Sequence, residues 1–572
     1  MNTSNKSTVL SQSQMGIYVE SIQHSNGLVY NMPFLYTLDK SIDLERLREA
    51  LYKVIEAHPA FFSYYTTDDK GEPLIVERKD LPIVIEINTV EDIKAVKHDI
   101  VKHFNLKDSR PIHIALYSSK EHNYMLFEVH HIIADGASAS VLMSEIERAY
   151  NGEDIEPEDY TFYDVTAEEQ RLRTGSEEYE AARLWFEQNF NIGDVDTQII
   201  ADRNEKEHSV VHAEYKLNID KENIRHIIDS TGVKAGTLFT SAFALLMSKF
   251  TGDEQVLFST IWHGRGDKRM SRTMGMFVKT LPVHYSFSRG MTLAEVFAHG
   301  DKIIKGARKH SVFSYADANA ALGIKSNYLF VYQGYLFNNI TIGGYPATME
   351  DLDESATTEP LSIQIYQEQD GSYRAVVEYF SHLYSEALIA QLMESFEAIL
   401  NSMRDGTQSI DELSYITPQQ EALLDSFNAT EREYDASQTV LSHFAKNVAA
   451  NPEHIAVVYK DKSYTYKEVD EISNKIAHHI NNSGLGRGDV VAVLIPRSEW
   501  MMIASLGVLK AGCGYEPLDP SYPSERLQFM TKDANARMII ADKDLLSTIE
   551  LDIDNVLLTS DILSLYLPLF YS

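Results

Sequence analysis

The chain has one cysteine, Cys513, in 572 residues. A lone thiol excludes an internal disulfide and a thiolate metal cluster, and such poverty fits a reducing, cytoplasmic setting. Basic residues are scarce as well: 51 Lys and Arg against 84 Asp and Glu leave a formal charge of −33. That surplus repels phosphate backbones and anionic lipid, so neither nucleic acid nor membrane is an expected partner. Long hydrophobic runs are missing; the stretches 501–509 and 562–571 fall short of the ~20 residues that span a bilayer. The opening residues, Met1 to Thr8, are polar and hold no apolar core of a secretory signal. No GxxxxGK[ST] or GxGxxG phosphate loop occurs, and there is no fixed-period repeat.

What is present is an ordinary globular composition, 44% hydrophobic and 24% charged, long enough for several folding units. Leu44, Leu47, Leu51, Val54 and Ile55 recur at the spacing of one helix face, and Pro59 ends it. The short aromatic and β-branched run 124–130 predicts a strand, Asp135-Gly136 breaks it, and a helix follows from Ser138 until Asn151-Gly152. The polar, Glu-rich stretch 153–187 reads as a crossover to a second lobe. There the pattern predicts strands over 211–217, 255–262 and 328–332, helices over 235–250 and 385–403, and a hairpin of 361–366 with 373–380 around Asp370-Gly371. The turn-rich 404–439 reads as a linker. Beyond it a helix, a strand over 490–495, a helix over 500–510 and a strand over 538–541 predict a parallel α/β unit.

The sharpest feature is His130-His131-Ile132-Ile133-Ala134-Asp135-Gly136, at the exit of a strand. Successive side chains of an extended backbone face opposite ways, so one imidazole can enter a cleft while the other packs inside, and the two cannot chelate one metal together. A neutral imidazole can accept a proton from an attacking amine, alcohol or thiol. Asp135 is placed to brace the loop through an ion pair, and Gly136 leaves its backbone N–H accessible. On residues alone, a satisfied structural histidine pair stays open beside a catalytic one. Asp351, Asp353 and Glu354 lack EF-hand spacing and read as a solvated turn. His478-His479 reads as a surface pair on a helix, and Cys513 as a packed thiol with no local histidine partner.

The seven residues His130 to Gly136 match the HHxxxDG signature of condensation domains of nonribosomal peptide synthetases, in the chloramphenicol acetyltransferase-like superfamily. Other motifs follow in order. Ser11-Gln12-Ser13-Gln14 resembles the opening SxxQ, Tyr160-Thr-Phe-Tyr-Asp-Val165 the YxDFA-type segment, Met274-Gly-Met-Phe-Val-Lys-Thr-Leu281 the GxFVNT-type latch region, and Tyr328-Leu-Phe-Val-Tyr-Gln333 the late strand. Three places depart from the pattern. The early RHExLRTxF motif is reduced to His58-Pro59-Ala60-Phe61-Phe62, Lys279 stands where Asn is usual, and the segment near His310 lacks its acidic and proline residues.

The resemblance implies an α/β fold in which two acetyltransferase-like lobes, 1–175 and 176–415, form a V with a tunnel between them. A linker, 416–439, and a partial adenylation region, 440–572, would follow. By the same resemblance His131 positions or deprotonates the acceptor amine, with His130 beside it, and the Gly136 N–H is a candidate oxyanion donor. Arg265, in Trp262-His-Gly-Arg265, would bridge to Asp135 and support the site; a solvated surface arginine is the alternative. The implied activity is amide-bond formation between carrier-bound aminoacyl or peptidyl thioesters. Expected partners are donor and acceptor carrier proteins, whose 4′-phosphopantetheine arms enter the tunnel, and a downstream adenylation domain. No metal and no covalently bound cofactor are expected. A silent docking module of the same fold, or a stand-alone acyltransferase using a soluble donor, would be the rivals. Lys462-Ser-Tyr-Thr-Tyr-Lys-Glu468 and Leu509-Lys-Ala-Gly-Cys-Gly-Tyr-Glu-Pro-Leu-Asp519 resemble the first two adenylation motifs. With no phosphate loop after them, ATP binding is not expected, and a truncation near the apolar 563–571 tail is.

Overall fold

A computed structural model of the chain describes residues 6–23, 30–97, 99–102, 104–106, 110–193, 195–206, 209–335, 340–352 and 357–566. The chain divides into two compact units, Met1–Asn428 and Ala429–Ser572.

In the first unit the helix Leu44–Ala57 shows how pattern becomes packing. Asp43 caps it by accepting from the amides of Glu45 and Arg46, and the predicted stripe, Leu47, Leu51, Val54 and Ile55 with Ala50, is buried. It packs on the helix Gly136–Tyr150, which Asp135 caps through the Ser138 amide. Both cover a five-stranded sheet ordered Thr348–Asp351, Asn31–Leu38, Asn123–His130, Ile112–Ser118, Glu86–Thr89. Every residue of Asn123–His130 is buried. The strand is central and covered on both faces, so its end delivers the histidine pair into the interior.

The second lobe has a six-stranded sheet ordered Lys279–Ser286, Gln255–Trp262, Tyr328–Gly334, Leu361–Gln367, Tyr373–Phe380, Val210–Leu217. The helix Ala235–Thr251 is apolar all round and therefore central: Phe239, Phe243 and Leu246 are fully buried. It packs on the strands Tyr328–Gly334 and Gln255–Trp262 and against the helices Leu293–Lys309 and Glu386–Ser402, the former of which also lies on the strand Lys279–Ser286. The Glu-rich crossover is two helices, Phe162–Arg173 and Glu177–Asn189.

Two segments that leave the second lobe's sheet return to the first lobe. After Gln255–Trp262 the run 263–278 crosses over, and its Met270, Met274, Met276 and Phe277 are buried in the first lobe's core. Farther on, Thr348–Asp351 adds an antiparallel edge strand beside Asn31–Leu38, with Asp351 opposite Phe34. Asp351 therefore ends a strand where the sequence suggested a turn; Asp353 and Glu354 lie outside the described residues. The stretch read as a linker includes a helix, Pro418–Asn428, with no buried residue.

The second unit has a four-stranded parallel sheet, Gly514–Pro517, Val490–Leu494, Ala536–Ala541, Val556–Leu558, with the helices Tyr466–Asn482 and Trp500–Lys510 packed together beside it. Cys513 is buried, its thiol donates to the Gly486 carbonyl at 3.2 Å, and burial raises its pKa. His478 and His479 are half-buried, and the His478 ring bonds Asn482 at the surface. The last residues of the 563–571 tail, from 567 on, lie outside the described residues. Among the described residues, no helix is long and apolar enough to cross a membrane.

Candidate active site

His130 is the last residue of its strand and His131 opens the turn after it, so the pleat does not set the His131 ring. His130 is 3% exposed, under Tyr30 and Phe104. The Ile132 amide donates to its Nδ1 at 3.2 Å, so the proton sits on Nε2, facing Ser21 Oγ at 3.2 Å. Burial and the neighbouring His131 push its pKa down to about 3, so the ring is neutral at cellular pH. His131 is half-buried, and its backbone N–H donates to the Tyr30 carbonyl at 2.7 Å. Its Nδ1 is buried without a hydrogen-bond partner. An orphaned polar atom in an otherwise satisfied loop calls for an explanation, and a reacting group is one.

Asp135 has no capacity to spare. Oδ1 accepts from the Ser138 amide at 2.8 Å and hydroxyl at 2.9 Å, while Oδ2 accepts from Arg265 Nη1 at 2.7 Å and the Phe277 amide at 3.1 Å. Its side chain is 0% exposed and that of Arg265 8%, so the pair is interior and the surface alternative for Arg265 fails. Arg265 also donates to Ser138 Oγ at 2.8 Å and the Thr273 carbonyl at 3.2 Å, and its guanidinium lies 4.9 Å from the Phe277 ring centroid. The turn before it needs glycine: Gly264 has φ +70°, and a Cβ there would stand 1.8 Å from the Phe277 carbonyl oxygen. Gly136 is the first residue of its helix, so its N–H has no acceptor within that helix.

Sequence reasoning assigned no job to Gln14, yet the structure gives it one. The Ser11 amide donates to Gln14 Oε1 at 3.1 Å and the Gln14 amide to Ser11 Oγ at 3.2 Å, a capping box that starts the helix Gln12–Gln23. The remaining amide Nε2 donates to the Ile132 carbonyl at 3.0 Å. The SxxQ spacing carried the signal for the cap; the loop it pins lies 118 residues away.

Between the lobes lies a cavity of about 480 Å³ whose lining includes Ser13, Glu169, Trp262, Phe277, Lys279 and Arg308. Ser13 Oγ donates to the Val278 carbonyl at 2.8 Å, and Lys279 Nζ reaches the Ser311 carbonyl at 3.1 Å and Glu169 at 3.4 Å. Lys279 thus ties the lobes at this opening. Among the described residues no group of three or more His, Cys, Asp or Glu is arranged to hold a metal ion.

The family model for the Condensation domain matches residues 4–424, and that for AMP-binding enzyme matches 444–565. Bacitracin synthase 3 of Bacillus licheniformis is 25% identical over 557 residues, covering 94% of this chain and 9% of that protein. Surfactin synthase subunit 1 of Bacillus subtilis (strain 168) is 25% identical over 553 residues, 94% of this chain and 15% of that protein. The chain therefore spans 9% to 15% of the length of these curated relatives. The crystal structure of the nonribosomal peptide synthetase FmoA3 superposes with TM-score 0.79 at 16% identity, covering 98% of this chain and 61% of that one. The first condensation domain of the CDA synthetase gives TM-score 0.59 at 19% identity, over 73% of this chain and all of that one.

Proposed function

The chain belongs to the condensation domain family, and from that premise we propose that its first unit forms amide bonds between two carrier-bound thioesters in nonribosomal peptide synthesis. The observation that carries the reading is the division of labour in the HHxxxDG loop. His130 is buried and neutral, Asp135 is saturated, and His131 alone keeps an uncommitted buried ring nitrogen.

In the proposed reaction the acceptor amine nitrogen attacks the donor thioester carbonyl. The new C–N bond forms, the carbonyl oxygen carries the negative charge of the tetrahedral intermediate, and collapse breaks the C–S bond to release the donor thiol. The proton lost from nitrogen ends on that sulfur, so no outside reductant or oxidant enters. His131 holds the amine in line and receives or relays its proton; orientation matters most, because converting two tethered partners into one oriented pair removes a large entropic barrier. The Gly136 N–H faces the developing oxyanion. His130 and Asp135 with Arg265 act on His131 only by fixing the loop. The cavity between the lobes is the proposed entrance for one 4′-phosphopantetheine arm, in a reducing cytoplasm.

A silent docking module would gain nothing from an unsatisfied imidazole, which only costs stability there. The test is to load donor and acceptor carriers with aminoacyl-phosphopantetheine and follow the dipeptidyl thioester. His131→Ala is expected to lower the single-turnover rate by a hundredfold or more, the usual reach of acid–base assistance plus orientation. Equal product from both proteins removes His131 from the reaction; no product from the unaltered protein with a panel of carriers favours docking.

A further inference from the structure

We propose that His58 is a positioning residue: it keeps a buried proton that fastens the 263–278 crossing segment onto the first lobe beneath the HHxxxDG loop. The proposal rests on geometry independent of the reaction. His58 is 0% exposed at the C-terminal end of the helix Leu44–Ala57. Its Nδ1 lies 2.5 Å from Glu158 Oε1 and its Nε2 2.7 Å from Glu145 Oε2. A neutral imidazole has one N–H and cannot bridge two carboxylates. Both contacts require a second proton, carried either as an imidazolium or as one neutral carboxyl group.

The charge count agrees. With that proton the three groups sum to −1 in either arrangement, and Arg272, whose Nε donates to Glu145 Oε1 at 2.7 Å, brings the cluster to zero. Asp159 is a further acid whose charge bears on Arg272, and the Phe61 ring packs perpendicular to that of His58, with centroids 6.1 Å apart. Without the proton, two buried carboxylates share one guanidinium, and Glu158 Oε2 already lacks a hydrogen-bond partner.

The same acids hold the crossing segment. Glu158 Oε1 accepts from the Met274 amide at 2.7 Å, and Arg272 Nη2 donates to the Glu156 carbonyl at 2.7 Å. One residue on either side of Met274, the Thr273 carbonyl meets Arg265 and the Gly275 carbonyl meets Ser138 Oγ; the Phe277 amide meets Asp135. The proton thus acts on the catalytic loop through Met274, without touching substrate.

Burial alone would push the His58 ring down, but its hydrogen bonds to Glu145 and Glu158, with their charges, outweigh burial and raise it. Burial raises Glu158 as well. Both groups bind the proton more tightly docked than free, so docking is complete below the ordinary histidine pKa and weakens as pH rises through the raised value.

Hydrogen exchange on the full chain tests this without reference to activity. After correction for intrinsic rates, protection of the Met274, Gly275 and Phe277 amides is expected to fall at least tenfold between pH 7 and 9.5, with the Phe330 amide in the second sheet as reference. Glu145→Gln keeps a carbonyl oxygen for Arg272 and turns an N–H toward Nε2 of a neutral ring, so in that variant the fall shrinks below twofold. A flat profile in the unaltered protein overturns the proposal, as does an equal fall in both proteins. So does a Glu145→Gln chain that fails to fold, because the substitution supplies what the missing proton would. If the amide-forming assay works, its alkaline limb is expected to flatten in the same variant; absence of amide product throughout would count against the proposed reaction and leave this test intact.

Discussion

Asp135 and Arg265 come from different lobes and meet at 2.7 Å in the interior, where each also holds backbone of the segment that joins those lobes. The motif aspartate is thus a structural clamp whose partner arrives 130 residues later. Removing Arg265 strands a buried carboxylate, so Arg265→Ala is expected to cost about 3–5 kcal/mol of unfolding free energy, read from urea midpoints. Arg265→Lys recovers only part of it, since an ammonium cannot span Asp135, Ser138 and Thr273 at once.

His130 gives a signature at the acid end. Its folded pKa of about 3 lies below the ordinary value of 6.5, so the unfolded chain takes up a proton that the folded chain refuses. Stability is complete above the ordinary value and declines as pH falls from there toward 3, at up to about 1.4 kcal/mol per unit. His130→Gln is expected to flatten that slope in urea midpoints collected from pH 7 to 4, and an unchanged slope would remove His130 as its source.

Gln14→Ala loses both the cap and the bond to Ile132. The cap contributes about 1 kcal/mol, a modest drop in thermal midpoint. Amide formation is expected to fall further than that drop explains, with kcat reduced and KM little changed, because the loop bearing His131 loses its tether. A proportionate loss confined to stability would leave Gln14 as a cap alone.

The 440–572 region carries two adenylation-like motifs but no phosphate loop in its sequence. Assayed on residues 1–572 alone, pyrophosphate exchange with ATP across a panel of amino acids is expected to stay at background. Backbone amides of its four-stranded sheet are expected to exchange faster than those of the six-stranded sheet in the first unit. Amino-acid-dependent exchange of pyrophosphate would contradict the first expectation, and uniformly slow amides the second.

What the sequence made legible was local or carried by a motif. The stripe of Leu47, Leu51, Val54 and Ile55 announced its helix, and the short aromatic run before His130 announced the strand that ends there. The Asp135 to Arg265 bridge was expected only because a family resemblance linked distant positions. Where neither aid existed the reading stopped. His58 seemed the remnant of a depleted motif, because its carboxylate partners lie 87 and 100 residues away and nothing local distinguishes them from surface acids. Asp351 looked like part of a turn, because its pairing partner in the sheet lies in the first forty residues.

The edge strand Thr348–Asp351 bears on how the chain can be divided. A fragment ending near residue 175 would lack that strand and the buried Met270, Met274, Met276 and Phe277, leaving Asn31–Leu38 as a bare, largely apolar edge. Such edges recruit other strands. Separately expressed halves are therefore expected to aggregate alone and to complement one another when produced together, so the first unit is one cooperative object despite its two sheets.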